Sequence, residues 1–320
     1  MLLTALVIDR DDILRHAFDE LGVDLIQTFG PRNRDRQLKM VEGLAGIAGG
    51  HRCNQLEGFK RDLRRNRAET HIRYDVDMSF RPVTLLENNK VCDDITILTF
   101  DRKVNVQAGE FIFLWVPGVG EKPFSALTDD PFSLVVIDVG FFTHALMDLP
   151  VGTESYVRGP HGIPVTPAED ARVMAVAGGT GLAAVYQIAR DFGNAEVFAG
   201  ARSAERLYFL EECRHVADVH VATDDGSAGY HGVVTELLRQ RLREMSPQER
   251  ERLVFYNCGP EPMVHAAIAV QREFCRPQQI FSAIDYLTKC GVGICGACAA
   301  PDGRRLCVDG PFLQEAEQYA

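Results

Sequence analysis

The sequence lacks the excess of basic residues that nucleic-acid-binding proteins carry. Its 34 lysines and arginines are outnumbered by 45 aspartates and glutamates, which gives a formal net charge of −11. Basic and acidic residues balance within 1–80, so residues 81–320 carry the whole negative excess. Because binding to phosphate backbones needs a basic surface, this charge argues against non-specific binding to DNA or RNA.

The sequence also shows no run long enough to span a membrane, and we expect no secretory leader. The longest uncharged stretch, Val173 to Ala189, is short for a spanning helix and is interrupted by glycines. The apolar start of the chain has no basic region before it and leads directly into Asp9-Arg10-Asp11-Asp12. We therefore expect no membrane span and a cytoplasmic location, where cysteines are reduced or bound to metal.

The composition is that of a globular protein with two or three domains, since 46% of the 320 residues are hydrophobic and 25% are charged. Residues 1–77 show helical patterns at 11–21, 35–44 and 54–67, which predict a helical N-terminal extension. Basic residues outnumber acidic ones between 52 and 73. This run is either a solvated helix face or an arm that docks on an acidic surface. The role of the extension stays open.

Four cysteines near the C-terminus carry the most specific signal. Cys290, Cys295 and Cys298 follow a C-x4-C-x2-C pattern in a glycine-rich loop, and Cys307 follows after the turn Pro301-Asp302-Gly303. This is the spacing of plant-type [2Fe-2S] ligands, and the glycines let a loop wrap around the sulfides. A zinc site, a disulfide framework and unrelated buried thiols are the alternatives. Zinc sites usually show two C-x2-C pairs, and disulfides suit short secreted domains.

Residues 78–167 contain short strand-like runs separated by turns, which predicts a small antiparallel β-barrel. The runs are Thr96–Phe100, Glu110–Val116, Phe132–Ile137 and Ser155–Val157. Lys122-Pro123-Phe124-Ser125 follows one of these strands and a loop of proline and glycine. Taken alone, this tetrapeptide is also compatible with an ordinary junction between a loop and a strand.

Residues 168–280 alternate strand and helix patterns, which predicts a parallel α/β sheet. The expected strands are Arg172–Ala177, Ala195–Ala199, Asp218–Ala222 and Leu253–Tyr256, and the expected helices are Leu182–Asp191, Ser203–Glu212 and Gly232–Glu244. Gly178, Gly179, Thr180 and Gly181 join the first strand to the first helix. Free amides at such a helix start bind a pyrophosphate, although a tight turn without a ligand has the same pattern.

Two more motifs follow strands of this domain. Asp224 and Asp225 stand at the sheet edge where ligands bind, and they either cap a turn or lie near an adenosine ribose. Carboxylates there would disfavour a 2′-phosphate and so favour NAD(H) over NADP(H), whereas Arg202 and Arg206 argue weakly for NADP(H). The second motif is the hexapeptide that begins at Cys258, whose thiol is either an ordinary buried group or part of a site.

The barrel motifs resemble those of the ferredoxin-reductase-like flavoproteins. Lys122–Ser125 is similar to the family signature R-x-[YF]-[ST], with lysine in place of arginine, which keeps the charge but loses the bidentate geometry. Gly140-Phe-Phe-Thr143 is similar to the G-x-G-T turn, with a phenylalanine in place of the second glycine, and Arg158–Gly162 is similar to the G-P-x-G turn that closes the barrel. The resemblance implies that the residues that bind FAD are Lys122, Pro123, Phe124, Ser125, Gly140 and Thr143.

The hexapeptide Cys258-Gly-Pro-Glu-Pro-Met263 resembles a motif of the NAD(P)H domain in the same family, where the cysteine and glycine lie beside the nicotinamide. By that resemblance Cys258 is the candidate catalytic residue. Gly259 and Pro260 then bind the nucleotide together with Gly178–Gly181.

The order of these motifs along the chain, from the barrel motifs to the four cysteines, resembles the electron-transfer subunit of the NAD-linked, two-subunit dihydroorotate dehydrogenases over residues 80–316. It implies a multidomain chain: the extension at 1–77, an FAD-binding β-barrel at 78–167, an NAD(P)H-binding α/β domain at 168–280 and a [2Fe-2S] segment at 281–320. It also implies electron transfer between NAD(H), FAD and the cluster, with Cys290, Cys295, Cys298 and Cys307 as ligands.

In that family a separate flavin-containing catalytic subunit oxidises dihydroorotate, a step of pyrimidine biosynthesis, and electrons run towards NAD+. The resemblance therefore implies a hetero-oligomer in which this chain has no organic substrate of its own. A reductase chain that serves another partner, such as a sulfite reductase or a hydrogenase subunit, has the same sequence features. A non-redox module with a four-cysteine zinc site is the remaining alternative.

Overall fold

The computed structural model describes residues 79–284 and 287–315. The helical patterns expected within 1–77 lie outside these residues. The described residues belong to one unit of the chain, which runs from Val76 to Ala320. None of their helices is long and apolar enough to cross a membrane.

Seven antiparallel strands form the first sheet. They are β1 (Arg81–Cys92), β2 (Ile95–Phe100), β3 (Phe111–Val116), β4 (Gly120–Phe124), β5 (Ala126–Asp129), β6 (Phe132–Ile137) and β7 (Glu154–His161), in the order β4-β3-β7-β1-β2-β6-β5. The two end strands, β4 and β5, are separated in the chain only by Ser125. The sheet must therefore curl until its ends meet, as a barrel does. The antiparallel barrel predicted from the sequence is confirmed.

Two barrel segments expected as turns have regular structure instead. Gly140 precedes a helix, α1 (Phe141–Met147), because the Thr143 hydroxyl accepts hydrogen bonds from the Val139 and Gly140 amides at 2.9 and 3.0 Å. The residues from Arg158 to His161 belong to β7, where His161 pairs with Phe111 of β3. His161 is thus a buried strand residue rather than part of a turn.

The second sheet also has seven strands. They are β8 (Arg172–Gly178), β9 (Ala195–Ala201), β10 (Ala217–Thr223), β11 (Tyr230–His231), β12 (Leu253–Cys258), β13 (Ile280–Ala283) and β14 (Leu313–Gln314), in the order β11-β10-β9-β8-β12-β13-β14. Every neighbouring pair is parallel except β13 and β14. The predicted parallel α/β sheet is confirmed, with the antiparallel β14 as an addition at its edge.

Helices cover both faces of this sheet because the side chains of β8 alternate. Val173 and Ala175 pack in the same core as α2 (Gly181–Phe192), whereas Met174 and Val176 pack in the core of α4 (Val234–Glu244) and α6 (Glu261–Arg272). Two short helices, α3 (Leu210–Arg214) and α5 (Pro247–Glu251), complete the domain. A parallel sheet covered on both faces carries its ligand site at the carboxyl ends of its strands.

The helix expected over 203–212 is broken. A short 3-10 helix, Ala204–Arg206, and α3 flank Tyr208, whose buried hydroxyl donates a 2.7 Å hydrogen bond to the Gly179 carbonyl. Phe209 takes a left-handed backbone with φ of 56°. A tertiary contact therefore overrides the local helical pattern.

The cysteine segment leaves the second sheet and returns to it. It follows β13, contains α7 (Leu306–Asp309) and ends in β14, which pairs with β13. The predicted reversal at 301–303 is present, because Ala299 bridges Arg305 and the Gly303 amide donates to the Ala300 carbonyl at 2.9 Å. β13 crosses the boundary expected at residue 280, and the division into four domains stays a prediction.

Candidate functional site

The four predicted cluster ligands lie together. The Cys298 and Cys307 sulfurs are 3.4 Å apart, and the Cys290 thiol is hydrogen-bonded with those of Cys295 and Cys307. Backbone amides also point at sulfur: Gly293 donates to Cys307 at 3.2 Å, and Val292 and Cys295 donate to Cys290 at 3.5 Å. All four are free cysteines.

The hydrogen-bond donors around Cys290 favour the ionised form of its thiol. Hydrogen bonds from the Cys295 and Cys307 thiols, together with the two amides, hold the pKa of the Cys290 thiol far below its ordinary value although burial opposes the shift. The thiolate is the form that binds metal. Four sulfurs with amide donors around them fit an iron–sulfur cluster, whose potential such donors tune.

The glycines of this loop are required by its shape. Gly291, Gly293 and Gly296 have φ of 78°, 76° and 67°. A β-carbon at Gly291 would lie about 3 Å from three atoms of the His161 ring, and one at Gly293 would lie 3.1 Å from Val308. The loop therefore curls tightly and presses against the barrel.

The cysteine segment packs on the outer face of the barrel. Phe111 and Phe113 of β3 form one apolar cluster with Cys298, Cys307 and neighbouring leucines. The Gly162 amide, just after β7, donates to the Cys307 carbonyl at 3.1 Å. Barrel and cysteine segment thus share a core.

The flavin motif lies on the strand beside this contact. Pro123 and Phe124 of β4 pair with Phe113 and Ile112 of β3, and Ser125 joins β4 to β5. Lys122, which the resemblance assigns to the pyrophosphate, is exposed at its place on β4. A single strand therefore separates the flavin motif from the cysteines.

The second barrel motif forms the start of α1. Its first amides have no helical acceptor, which suits a phosphate. Phe142, which replaces the family's second glycine, is 6% exposed and lies 6.3 Å from the Phe124 ring. Val139 and Phe141 beside Gly140 are 82% and 79% exposed, the largest values among the large apolar residues that the structure describes. Exposed apolar groups next to free amides fit an organic phosphate cofactor such as FAD.

The glycine loop and the cysteine hexapeptide interlock. β8 and β12 are neighbours, with Ala177 opposite Cys258, so both motifs reach the same sheet edge. A β-carbon at Gly178 would lie 2.6 Å from the Met263 sulfur, and one at Gly259 would lie 2.7 Å from the Gly178 carbonyl. Only glycine allows this closeness. Cys258 is half-buried where the two loops meet.

The glycine loop also reaches the barrel. A β-carbon at Gly179 would lie 3.4 Å from the Ile137 side chain at the end of β6. A cleft beside it is lined by residues at the ends of β8 and β9 and by Arg206. At Gly181 a side chain would collide with the Cys258 carbonyl. The nucleotide edge of the sheet therefore faces the flavin domain.

The two aspartates differ in their contacts. Asp225 accepts hydrogen bonds from the Ser227 amide and hydroxyl at 2.9 and 2.6 Å, which cap a turn and lower the pKa of its carboxyl. Asp224 is exposed. Arg206 donates two 2.7 Å hydrogen bonds to the Asp94 carboxylate in the turn between β1 and β2. Its charge is therefore already paired across the two domains, whereas Arg202 is exposed.

The sequence-based assignment missed Arg158 and Glu121. Arg158 is 4% exposed in β7, and its guanidinium makes a bidentate ion pair with Glu121 at 2.6 and 2.8 Å. A charged residue between Val157 and Gly159 in a short strand-like run was the available signal, since a charge that becomes buried needs a partner.

Two family models match the chain. One is described as the iron-sulfur cluster binding domain of dihydroorotate dehydrogenase B and matches residues 287–317, and the other is the oxidoreductase NAD-binding domain at residues 175–268. Among solved structures, an NADH-dependent reduced ferredoxin-NADP oxidoreductase is 26% identical with a TM-score of 0.65, covering 74% of this chain and 90% of that one. A ferredoxin NADP+ reductase from Neisseria gonorrhoeae, 17% identical over 64% of this chain and 98% of its own, has a TM-score of 0.53 and shows the same fold.

Curated relatives match about three quarters of the chain. A protein of Methanocaldococcus jannaschii is 36% identical over 254 residues, which are 75% of this chain and 95% of the relative. A protein of Thermococcus kodakarensis is 38% identical over 73% of this chain and 96% of its own length. Both are named as probable electron transfer subunits of dihydroorotate dehydrogenase B (NAD(+)). This chain belongs to the family of dihydroorotate dehydrogenase B electron transfer subunits.

Proposed function

We propose that this chain transfers electrons between NAD(H), FAD and a [2Fe-2S] cluster, and that it serves a separate flavin-containing dihydroorotate dehydrogenase subunit. One observation carries the proposal. The flavin strand β4 pairs with β3, whose Phe111 and Phe113 pack against Cys298 and Cys307. The expected flavin and cluster sites are therefore adjacent, and the glycine loop of the expected nucleotide site approaches the barrel at Ile137.

Each part of the chain has a distinct task in this arrangement. The start of α2 and Gly178–Gly181 hold the dinucleotide pyrophosphate, and Cys258, Gly259 and Pro260 lie beside the nicotinamide. Lys122 and the start of α1 bind the FAD phosphates, while Phe124 and Ser125 lie along the flavin. Bound FAD exchanges electron pairs with a nicotinamide and single electrons with a cluster. The four cysteines hold the irons, and the buried face of β3 excludes water between the two groups.

The specificity for NAD(H) is supported by the charges at the sheet edge. Asp224 and Asp225 are both exposed; Asp225 is engaged by Ser227 and shapes the turn, which leaves the Asp224 carboxylate for a ribose hydroxyl. Arg206 is held by Asp94 and so contributes little free charge for a 2′-phosphate. We place the protein in the cytoplasm, in a hetero-oligomer with its catalytic subunit.

A visible spectrum of the purified full chain tests this function. Flavin and cluster bands are expected, whereas a zinc module is colourless. Cys295→Ser should remove the cluster bands and leave the flavin bands, and Cys92→Ser, which changes a thiol of β1, should leave both. A colourless protein that contains zinc would contradict the proposal.

The division of labour is tested with substrates. The chain alone should reduce an artificial dye with NADH but should not oxidise dihydroorotate. Co-purification from the native source should yield a flavin-containing partner that restores dihydroorotate oxidation. Oxidation of dihydroorotate by the isolated chain, or capture of a sulfite-reducing or hydrogenase subunit instead, would refute the assignment.

A further inference from the structure

A buried arginine joins the barrel to the cysteine loop. Arg158 of β7 donates to the Cys290 carbonyl at 2.8 Å and to the Lys289 carbonyl at 3.0 Å. Its guanidinium also lies 3.8 Å from the centre of the Phe113 ring. Burying a charge is costly unless it is paired and hydrogen-bonded, and Arg158 meets both conditions.

The partner of this arginine belongs to the flavin strand. Glu121 of β4 precedes Lys122, the first residue of the flavin motif, and binds Arg158 through both carboxylate oxygens. The chain of contacts therefore runs from the flavin strand through Glu121 and Arg158 to the carbonyl of the first cluster ligand, Cys290. These residues are far apart in sequence and meet only in the fold.

A histidine completes the network. The Nη1 atom of Arg158 lies 3.3 Å from Nε2 of His161, and the His161 ring lies against Gly291. Arg158 supplies the positive charge of this network.

The two charges of the ion pair are not equally screened. The Arg158 side chain is 5% exposed and that of Glu121 is 27% exposed. Water therefore weakens the field of the carboxylate more than that of the guanidinium. A net positive field reaches the cysteine loop, which lies on the guanidinium side of the pair.

We propose that Arg158, held by Glu121, is a positioning residue that fixes residues 289–291 on the barrel and raises the reduction potential of the cluster. Reduction adds one electron, and hence one negative charge, to the cluster, and a nearby cation stabilises the reduced form. The inference rests on the proposed function only in that the four cysteines hold the cluster. If the wild-type spectrum lacks cluster bands, the proposed function fails before this inference is tested.

The test is a redox titration of the full chain with its cluster bound, in which the reduced cluster is monitored by electron paramagnetic resonance. Arg158→Gln should lower the ratio of reduced to oxidised cluster at a fixed potential by roughly tenfold, which corresponds to about 59 mV for one electron. Arg158→Lys keeps the charge and should recover part of the shift. Glu121→Gln should move the potential in the opposite direction, because it removes the negative member of the pair.

Opposite shifts distinguish an electrostatic role from simple damage, since a loosened loop would not reverse its effect between the two variants. Arg241→Gln is the matched control, because Arg241 pairs with the buried Glu196 in the nucleotide domain. It should leave the potential unchanged. If Arg158→Gln does not retain the cluster, the potential of Glu121→Gln alone tests the proposal, and it should be higher than that of the wild type. Unchanged potentials, or shifts of the same sign in both variants, would overturn the proposal.

Discussion

Replacing Gly291 by alanine should damage the cysteine loop more than its backbone angle alone requires. Gly291 and Gly118 share a φ of 78°, but a β-carbon at Gly118 meets nothing within 4 Å. At Gly291 the same carbon would lie 2.9 to 3.0 Å from three ring atoms of His161. That ring is 3% exposed and is packed between Phe111 and Phe113, so it cannot move aside easily.

The two substitutions therefore separate strain from overlap. A left-handed alanine costs about 1–2 kcal/mol, which both variants share. Overpacking adds roughly 1–3 kcal/mol at Gly291 alone. For a domain of this size each kcal/mol lowers the melting temperature by about 2–4 °C. Gly291→Ala should thus melt several degrees below Gly118→Ala.

Thermal unfolding of the full chain with its cofactors bound, followed by circular dichroism, measures the difference in melting temperature. Iron analysis shows whether each variant keeps the cluster. Gly118→Ala should keep its iron, whereas Gly291→Ala should lose part of it because the loop is displaced from the barrel. Equal melting temperatures and equal iron contents in the two variants would show that Gly291 does not press against His161, and the packing described above would be wrong.

Two further predictions concern the nucleotide domain. Asp94→Asn should free Arg206 and lower the KM for NADPH by up to about tenfold, which corresponds to 1.4 kcal/mol of binding free energy. The double variant that also carries Arg206→Gln should show no such decrease. An unchanged KM in Asp94→Asn would refute the prediction. Burial raises the pKa of the Glu196 carboxyl, but hydrogen bonds from His220 and Arg241 and the charge of Arg172 outweigh it and hold the pKa at about 2. Because the pKa is depressed in the folded state, this carboxylate contributes stability above the unfolded value near 4.5, and the contribution is lost as the pH falls towards 2. Unfolding of Glu196→Gln between these pH values should therefore take up one proton fewer than unfolding of the wild type. Equal proton uptake by the two proteins would contradict this prediction.

The sequence predicted best what depends on neighbouring residues. The cysteine spacing and its glycines act within one loop, and the strand-like run Phe132–Ile137 matches β6 at both ends. The strands expected over Arg172–Ala177 and Leu253–Tyr256 are present as β8 and β12, which extend one and two residues further at their carboxyl ends. Their meeting was implied by the fold class, because the carboxyl ends of parallel strands reach one edge.

The missed features depend on partners far away in the chain. Glu121 and Arg158 lie on different strands, and nothing near either residue predicts the other. The helix expected over 203–212 breaks because Tyr208 hydrogen-bonds to Gly179, which lies 29 residues earlier in the chain. Local propensity cannot anticipate such contacts, since tertiary packing overrides it.

The attachment of the cysteine segment to the rest of the chain bears on whether this segment could act as a mobile electron carrier. Its described part contains only α7 and β14 as regular elements, it begins and ends at the nucleotide sheet, and its apolar side chains pack on Phe111 and Phe113 of the barrel. A diffusible ferredoxin has a core of its own and travels between donor and acceptor. The described residues of this segment form no such core, so we expect that it would not stay folded if it were cut out. Electrons would then have to leave the cluster on this chain, with the acceptor bound to it.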